Sequence, residues 1–368
     1  MDSSDPEISF DKEGICNHCN NFKFNILPNW PLHSNGRSEL DKIVSQIKRK
    51  MKNKPYDVAI GLSGGLDSSY VAYITKRKLD LRPLAIHVDG GWNSELAIRN
   101  IENICKKLDI DLITHVIDWE DMKELQRSFL LSGLANQDVP QDHAFVSGLY
   151  KNSLKYGIRF IFSGGNIASE SVLPTSWAYN AMDLRHLEGV HNAHGRKKLK
   201  SFPTTNFFEF YFWNRFIRRM KVIRPLNYIP YVQNDVIATL KKDLNFEYYG
   251  GKHFESRFTK WQQIYFRPKK FGFDERRAYL SSLILSKQIS RTEALKNLEA
   301  SKIRFSDIKL ETSFILKKLE ISKKDFDIMM GEKNRYFTDY PSNFFWFNLK
   351  DKIKAFLSKF EIKFSSNS

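Results

Sequence analysis

Cysteine is scarce, with three in 368 residues, so no disulfide framework holds the chain and a reducing compartment is expected. No apolar run is long enough to cross a bilayer, and the opening Met1-Asp2-Ser3-Ser4-Asp5 is acidic and polar. That opening has the character of neither a signal peptide nor a transit peptide, so a cytoplasmic location is expected. There is no internal repeat and no low-complexity segment, which argues against solenoids and disordered tails. Acidic residues are also in deficit: 58 Lys and Arg stand against 42 Asp and Glu, a net charge of +16. Nucleic acid, an anionic small substrate such as a nucleotide sugar, and lysines merely spread over solvated helix faces all fit that excess. Charge alone says only that partners are anionic rather than cationic.

What is present is a folding chain, 42% hydrophobic and 14% aromatic, long enough for one large domain or two ordinary ones. Residues 1–38 form a loop-rich aromatic segment carrying Cys16 and Cys19. Apolar positions Leu40, Ile43, Val44, Ile47 and Met51 then recur at helical spacing. From there strands and helices alternate. Strands are expected at 56–62, 82–91, 111–118 and 158–166. Helices are expected at about 67–78, 94–108, 120–132 and 142–156. This order predicts right-handed βαβ units and a parallel, doubly wound sheet, whose ligands bind beyond the carboxyl ends of the strands. Three of the four strands end in glycine-bearing or acidic segments: Gly61 to Gly65, Asp89-Gly90-Gly91 and Gly164-Gly165-Asn166.

After residue 200 the pattern turns helical and aromatic. The run "FFEFYFWNRFIRRM" is apolar on nearly every side, and a core helix with a basic end is expected there in preference to a membrane-surface helix. A helix is expected at 234–244 with Asn234 as its cap, and a helical bundle over 274–368 in which Ser290 and Glu293 have capping-box spacing. The organisation expected is a segment at 1–38, an α/β domain at 39–250 and a helical region at 251–368.

The stretch "AIGLSGGLDSSY" sets a glycine turn between a strand and a helix. Gly64 and Gly65 let backbone N–H groups approach an oxyanion, and the following helix adds its positive N-terminal end. Ser63 and Ser68 hydroxyls offer further bonds, and Asp67 either orients the loop or holds magnesium on the phosphates. The lysine and spacing of a Walker loop are missing. A glycine turn without ligand is the plainer alternative.

The pattern S-G-G-x-D-S resembles the pyrophosphate-binding loop (PP-loop) of the N-type ATP pyrophosphatases, with their adenine nucleotide alpha hydrolase-like fold. The resemblance implies ATP and Mg2+, transfer of AMP to a poorly reactive oxygen, and pyrophosphate departing into Leu62, Ser63, Gly64, Gly65, Asp67, Ser68 and Ser69. It places His87, Val88 and Asp89 beside the nucleotide, with Gly164 and Gly165 closing the other side. The block 248–298, with "GGKHFESRFT", "KFGFDERR" and "LSSLI", resembles the N-acetyl sugar amidotransferases of bacterial surface-glycan biosynthesis; "VIDWEDMKELQRSF", "PQDHAF" and "RPLNYIP" fit the same family. The implied reaction converts a sugar acetamido group to an acetamidino group through an O-adenylyl imidate attacked by ammonia. Lys252 and His253 are candidates for phosphate neutralisation or proton transfer. Glu255 and Ser256 are candidates to position ammonia or the sugar, and Arg257 and Lys260 to hold anionic groups of the substrate. Gly250, Gly251, Asn166, Glu170, Gln141 and Asp142 complete the candidate substrate site. A polar structural turn is the alternative for this block.

The resemblance also implies a separate glutaminase and a cyclase-like ammonia-channelling subunit, similar to the histidine-biosynthesis pair. No cysteine here fits a glutaminase triad; Cys105 falls on the apolar pattern of its helix. Cys16 and Cys19 are half of a zinc knuckle, and structural zinc needs two such pairs. Family members begin with a further C-x-x-C, so an upstream pair completing the site is expected. A tRNA-modifying ATP pyrophosphatase is the competing reading, without an added RNA-binding module to support it, and a glycan-assembly scaffold is the non-enzymatic one. The sugar stays open between a nucleotide-linked N-acetyl hexosamine acid and a nonulosonic acid.

Overall fold

A computed structural model describes residues 1–300 and 305–358. The sequence-predicted bundle over 274–368 therefore lies in part, at 301–304 and 359–368, outside the described residues. The strands are β1 (Val58–Gly61), β2 (Pro83–Asp89), β3 (Asp111–Val116), β4 (Phe160–Phe162) and β5 (Lys221–Ile223). They form one sheet in the order β3-β2-β1-β4-β5, every neighbouring pair parallel. The expected α/β fold is therefore present. The chain order reverses on either side of β1, which opens a crevice at its carboxyl end.

Alternation along the strands buries both faces. Val58 and Ile60 of β1, with Phe160 and Phe162 of β4, enter one core shared with helices Gly36–Met51, Leu66–Arg77, Glu95–Leu108 and Gln233–Leu244. Ala59, Leu84, Ile86 and Ile161 enter the other, against Trp119–Leu131, Val139–Lys155 and Leu184–His194. Side-chain caps set several of these helices. The Ser94 hydroxyl accepts from the Ala97 N–H at 3.1 Å, and the Asp118 carboxylate from Glu120 at 2.9 Å. A third core joins Trp92 and Leu130 to Phe258, Trp261, Phe266, Ile315 and Phe326, so the C-terminal helices pack directly on the edge of the α/β layer.

Three sequence expectations change, and one strand is new. The strand expected at 158–166 pairs only over Phe160–Phe162, because the glycines beyond it leave the ladder. Strand β5 went unpredicted: three residues are too few to display a period of two. The helix expected from Asn234 starts at Gln233, with Val232 at the cap and no side-chain cap bond. The aromatic run is no core helix. It forms a π-type helix, Glu209–Ile217, closed by an i→i+5 bond from the Arg218 N–H to the Trp213 carbonyl at 2.9 Å. Its buried residue is Asn214, while Phe212, Trp213, Phe216 and Ile217 face solvent. Rings on every side of a helix cannot all reach one core, and here the sheet faces are already covered.

The capping box is formed as spaced: the Ser290 N–H and hydroxyl donate to Glu293, and the Glu293 N–H donates back at 3.2 Å. Among the described residues, no helix is long and apolar enough to cross a membrane.

Candidate active site

The glycine loop leaves β1 at the crevice and turns into the Leu66–Arg77 helix. Gly64 has φ +76°, and a Cβ there would press on the backbone of Ala97. The loop is laced by its own hydroxyls. Ser63 Oγ lies 3.1 Å from Ser68 Oγ and accepts from the Gly65 N–H at 3.2 Å. Ser69 donates to the Gly65 carbonyl at 2.6 Å, so its hydroxyl braces the turn from inside. Leu62 is held by its N–H on the Ile86 carbonyl at 3.0 Å and by the His87 ring, whose Nδ1 lies 2.9 Å from the Leu62 carbonyl. Gly164 passes so close that a Cβ would sit 3.0 Å from the Ser68 nitrogen, closing the second side of the loop.

The 250–256 segment lies directly on this loop, although nearly 200 residues separate the two in sequence. Gly250 takes φ +84° and His253 φ +61°, which turn the chain back toward β1. Ser63 Oγ donates to Glu255 Oε1 at 3.2 Å, and a Cβ on Gly65 would stand 2.5 Å from that oxygen. The carboxylate therefore packs against the loop in a space that only glycine leaves open. Burial pulls the Glu255 carboxyl up, but the His253 ring and the Ser63 hydroxyl outweigh it, leaving the group below its usual range and ionised. Glu255 Oε2 is buried and has no hydrogen-bond partner.

Beside it, Lys252 Nζ lies 2.5 Å from Asp67 Oδ2, 2.8 Å from Glu170 Oε1 and 3.1 Å from Ser169 Oγ. Burial alone would lower the Lys252 ammonium, but Asp67 and Glu170 raise it above the usual lysine range. Burial would likewise raise Glu170, and Lys252 holds it low instead. Two carboxylates thus converge on one positive charge. An acidic pair of this kind suits a divalent cation with oxygen ligands, so the chemistry of Asp67 and Glu170 fits the expected Mg2+.

Two cavities flank these groups and share Ser63, His253 and Glu255 as their common wall. One, of about 160 Å³, is lined by the loop, Glu170 and Lys252, with Tyr231, Tyr248, Tyr249 and Tyr279. The other, of about 420 Å³, has an apolar wall of Leu62, Ile86, Val88, Phe145 and Leu149, with Asp142 and Thr259 at its polar end. Crowding by surrounding protein, reinforced by Asp138, pushes the Asp142 carboxyl up to about 7. The tyrosines were not singled out in the sequence. Tyr249 accepts the Leu66 N–H at 2.6 Å, and Tyr231 donates to Asp67. The pair Tyr248-Tyr249 immediately before Gly250-Gly251 was the available signal.

Other predicted residues take different places. Asn166 caps a short helix by accepting from Ser169 at 2.9 Å, and its own N–H donates to Glu170. Gln141 is buried, bonded to Asp138 at 2.9 Å and to Ser256 at 3.3 Å, and it braces the site from behind. Asp89 turns away from the cavities to accept from Gly91 and Asn93. Arg257 and Lys260 reach neither cavity. Arg257 forms a bidentate pair with Glu311 at 2.9 and 2.8 Å and stacks 3.6 Å over Phe314, and Lys260 lies over Phe254. A helix capped by Ser256 carries both side chains away from the cavities, Arg257 onto the Phe305–Lys318 helix, which sequence spacing did not reveal. Gly251 packs against the Phe254 ring with no room for a Cβ.

Cys16 and Cys19 bring their sulfurs within 3.4 Å, while His18 pairs with Asp5 at 2.6 Å instead of joining them. Among the described residues, no group of three or more His, Cys, Asp or Glu is arranged to hold a metal. Cys105 is half-buried against the core, and burial pushes its thiol up to about 11.

Comparison with known proteins divides the chain in two. Residues 39–170 match the NAD synthase family, and residues 255–354 match the C-terminal domain of WbpG-like LPS biosynthesis proteins. An uncharacterized protein of Methanocaldococcus jannaschii is 27% identical over 117 residues, 32% of this chain and 40% of that protein. The glutamine-hydrolyzing GMP synthase of Thermosipho africanus is 27% identical over 122 residues, 32% of this chain and 22% of that one. The tRNA(Ile)-lysidine synthase of Francisella philomiragia is 37% identical over 84 residues, covering 22% and 20% of the two chains. The chain thus spans two fifths or less of the length of these relatives. The solved NH3-dependent NAD synthetase of Campylobacter jejuni is 16% identical across 73% of this chain and 97% of its own, with a TM-score of 0.32. That superposition is too loose to add to the sheet topology itself. Taken together, the matches support a PP-loop, ATP-using domain of the NAD synthase kind joined to a C-terminal domain of the LPS-biosynthesis kind.

Proposed function

We propose that the protein activates the acetamido oxygen of a sugar with ATP and exchanges that oxygen for nitrogen. The observation that carries this reading is the contact between the two matched halves. Glu255, the first residue of the WbpG-like match, sits on Ser63 of the glycine loop, and Lys252, just before that match, sits on Asp67. An enzyme joining ATP cleavage to a sugar needs that convergence, because an amide is a poor electrophile until its oxygen is made a leaving group.

In this reading the apolar 420 Å³ cavity takes the adenosine, and the loop amides with Ser63 and Ser68 take the pyrophosphate. The amide oxygen attacks the α-phosphorus of ATP, the bond to the β-phosphate oxygen breaks, and pyrophosphate leaves. Ammonia adds to the resulting imidate carbon, a proton is lost, and AMP departs with the former amide oxygen. The product is an acetamidino sugar. Asp67 and Glu170 would hold Mg2+, which offsets charge on the departing pyrophosphate. Lys252, whose ammonium bridges these two carboxylates here, shifts toward the phosphates as the cation enters, and Glu255 swings off the loop when phosphate enters. The tyrosine-lined cavity, which the loop also lines, is the pyrophosphate side of the site, and the acetamido group enters where the two cavities meet at Ser63, His253 and Glu255.

We further propose that ammonia comes from a separate glutaminase and a channelling subunit. The Cys105 thiol, raised to about 11, is a poor nucleophile at neutral pH. Pyrophosphate release should be measured with nucleotide-linked N-acetyl hexosamine acids and with nonulosonic acids, each with ammonium. The expected product is lighter than its substrate by the difference between O and NH. Release that requires tRNA instead of any sugar would replace this reading with RNA modification, and glutamine-supported turnover by the chain alone would remove the partner.

A further inference from the structure

We propose that the aromatic and basic face formed by Glu209–Ile217 and the first turns of Phe344–Ser358 docks the protein on an anionic phospholipid surface. The proposal is independent of the reaction assigned above. Phe208, Trp213 and Phe345 are 60%, 49% and 69% exposed, and Phe212, Phe216 and Trp346 are exposed beside them. Rings from the two segments meet. Phe208 meets Trp346 edge-on at 5.9 Å, and Phe207 meets Phe347 at 5.1 Å, joining the start of the first helix to the second although the partners lie far apart in sequence. A monomeric soluble protein rarely leaves so many large rings together in water.

Charge identifies the occupant. Arg218, Arg219 and Lys221 follow the first helix, and Lys350 and Lys352 stand on the second. Among the described residues, Glu209 pairs with Arg218 at 2.8 Å and Asp351 with Lys350 at 3.2 Å. Lys350 also lies 4.6 Å over the Tyr211 ring, so cation and aromatic edge are interleaved. Phe and Trp ringed by Arg and Lys is the composition of a helix lying in a headgroup layer, rings inserted and cations on lipid phosphates. A second copy would set one basic rim against another and repel. Among the described residues no helix can span a bilayer, so this contact would be peripheral and reversible.

The test is sedimentation of the full chain with vesicles of phosphatidylethanolamine and phosphatidylglycerol, beside vesicles of phosphatidylcholine alone. The wild type should partition onto the anionic vesicles and release as salt rises. F212S/W213S/F216S and, independently, F345S/W346S should each weaken partition about tenfold or more, with melting temperatures kept within about 3 °C. R219E/K352E should weaken it while leaving every ring in place. A wild type that stays in the supernatant with anionic vesicles overturns the proposal. So do three variants that sediment like the wild type, or a concentration-dependent dimer dissociated by the triple variant without vesicle binding.

Discussion

Around the glycine loop at 62–69 the chain turns small and polar residues inward, whereas in the run at 207–217 it turns large rings outward. Ser69 is fully buried, and Trp213 is half exposed. Hydropathy ranks the two segments the opposite way. In the loop, each inward hydroxyl meets a backbone or side-chain partner, so burial costs little. In the run, both faces of the sheet are already covered by other helices, so Phe207 and Tyr211 pack on Phe347 while Phe212, Trp213 and Phe216 stay exposed. Burial follows the partners that the fold supplies, and residue type only proposes it.

The largest effect expected from sharpening this contrast lies in the loop. Asp67→Asn should lower ATP-dependent pyrophosphate release by about 10²–10³-fold while the protein stays folded, because the carboxylate faces Lys252 and the proposed cation. Next come aromatic residues that are truly core. Phe258→Ala or Trp261→Ala, each 0% exposed, should cost about 3–5 kcal/mol in urea unfolding. Glu255→Gln removes a negative charge that lies on the glycine loop and should tighten ATP binding about tenfold by calorimetry, roughly 1.4 kcal/mol. Weaker binding would mean that the carboxylate holds the nucleotide's cation instead of blocking its phosphates. The smallest effect is the sharpest for the comparison: F212S/W213S/F216S should change stability by less than about 1 kcal/mol. A loss near that of Phe258→Ala would restore the core-helix reading of the run.

Much of the α/β layer was legible in the chain because local patterns repeat: apolar strands, amphipathic helices and glycines at strand ends. The loop was legible for the same reason, since Gly64, Gly65 and the helix that follows are contiguous. The C-terminal contributors were harder. Lys252 and Glu255 stood out through a resemblance, yet their partners Asp67, Glu170 and Ser63 lie far away in sequence, so the pairing was not readable. Arg257 was misplaced because one helical turn decides whether a side chain faces the cavity or Glu311. Tyr231 and Tyr249 carry no motif; only folding brings their hydroxyls onto Asp67 and Leu66.

By itself the sequence determined the strand–loop–helix unit that makes an anion cradle, because its backbone conformation and dipole depend on neighbouring residues. It also determined the parallel class of the sheet, through the alternation of strands and helices. Only tertiary structure decided that Glu255 lies on that loop, that Lys252 bridges Asp67 and Glu170, and that Phe208, Phe212, Trp213 and Phe216 face water. Those outcomes depend on which distant surfaces meet, and contact across the chain is set by packing and charge in three dimensions.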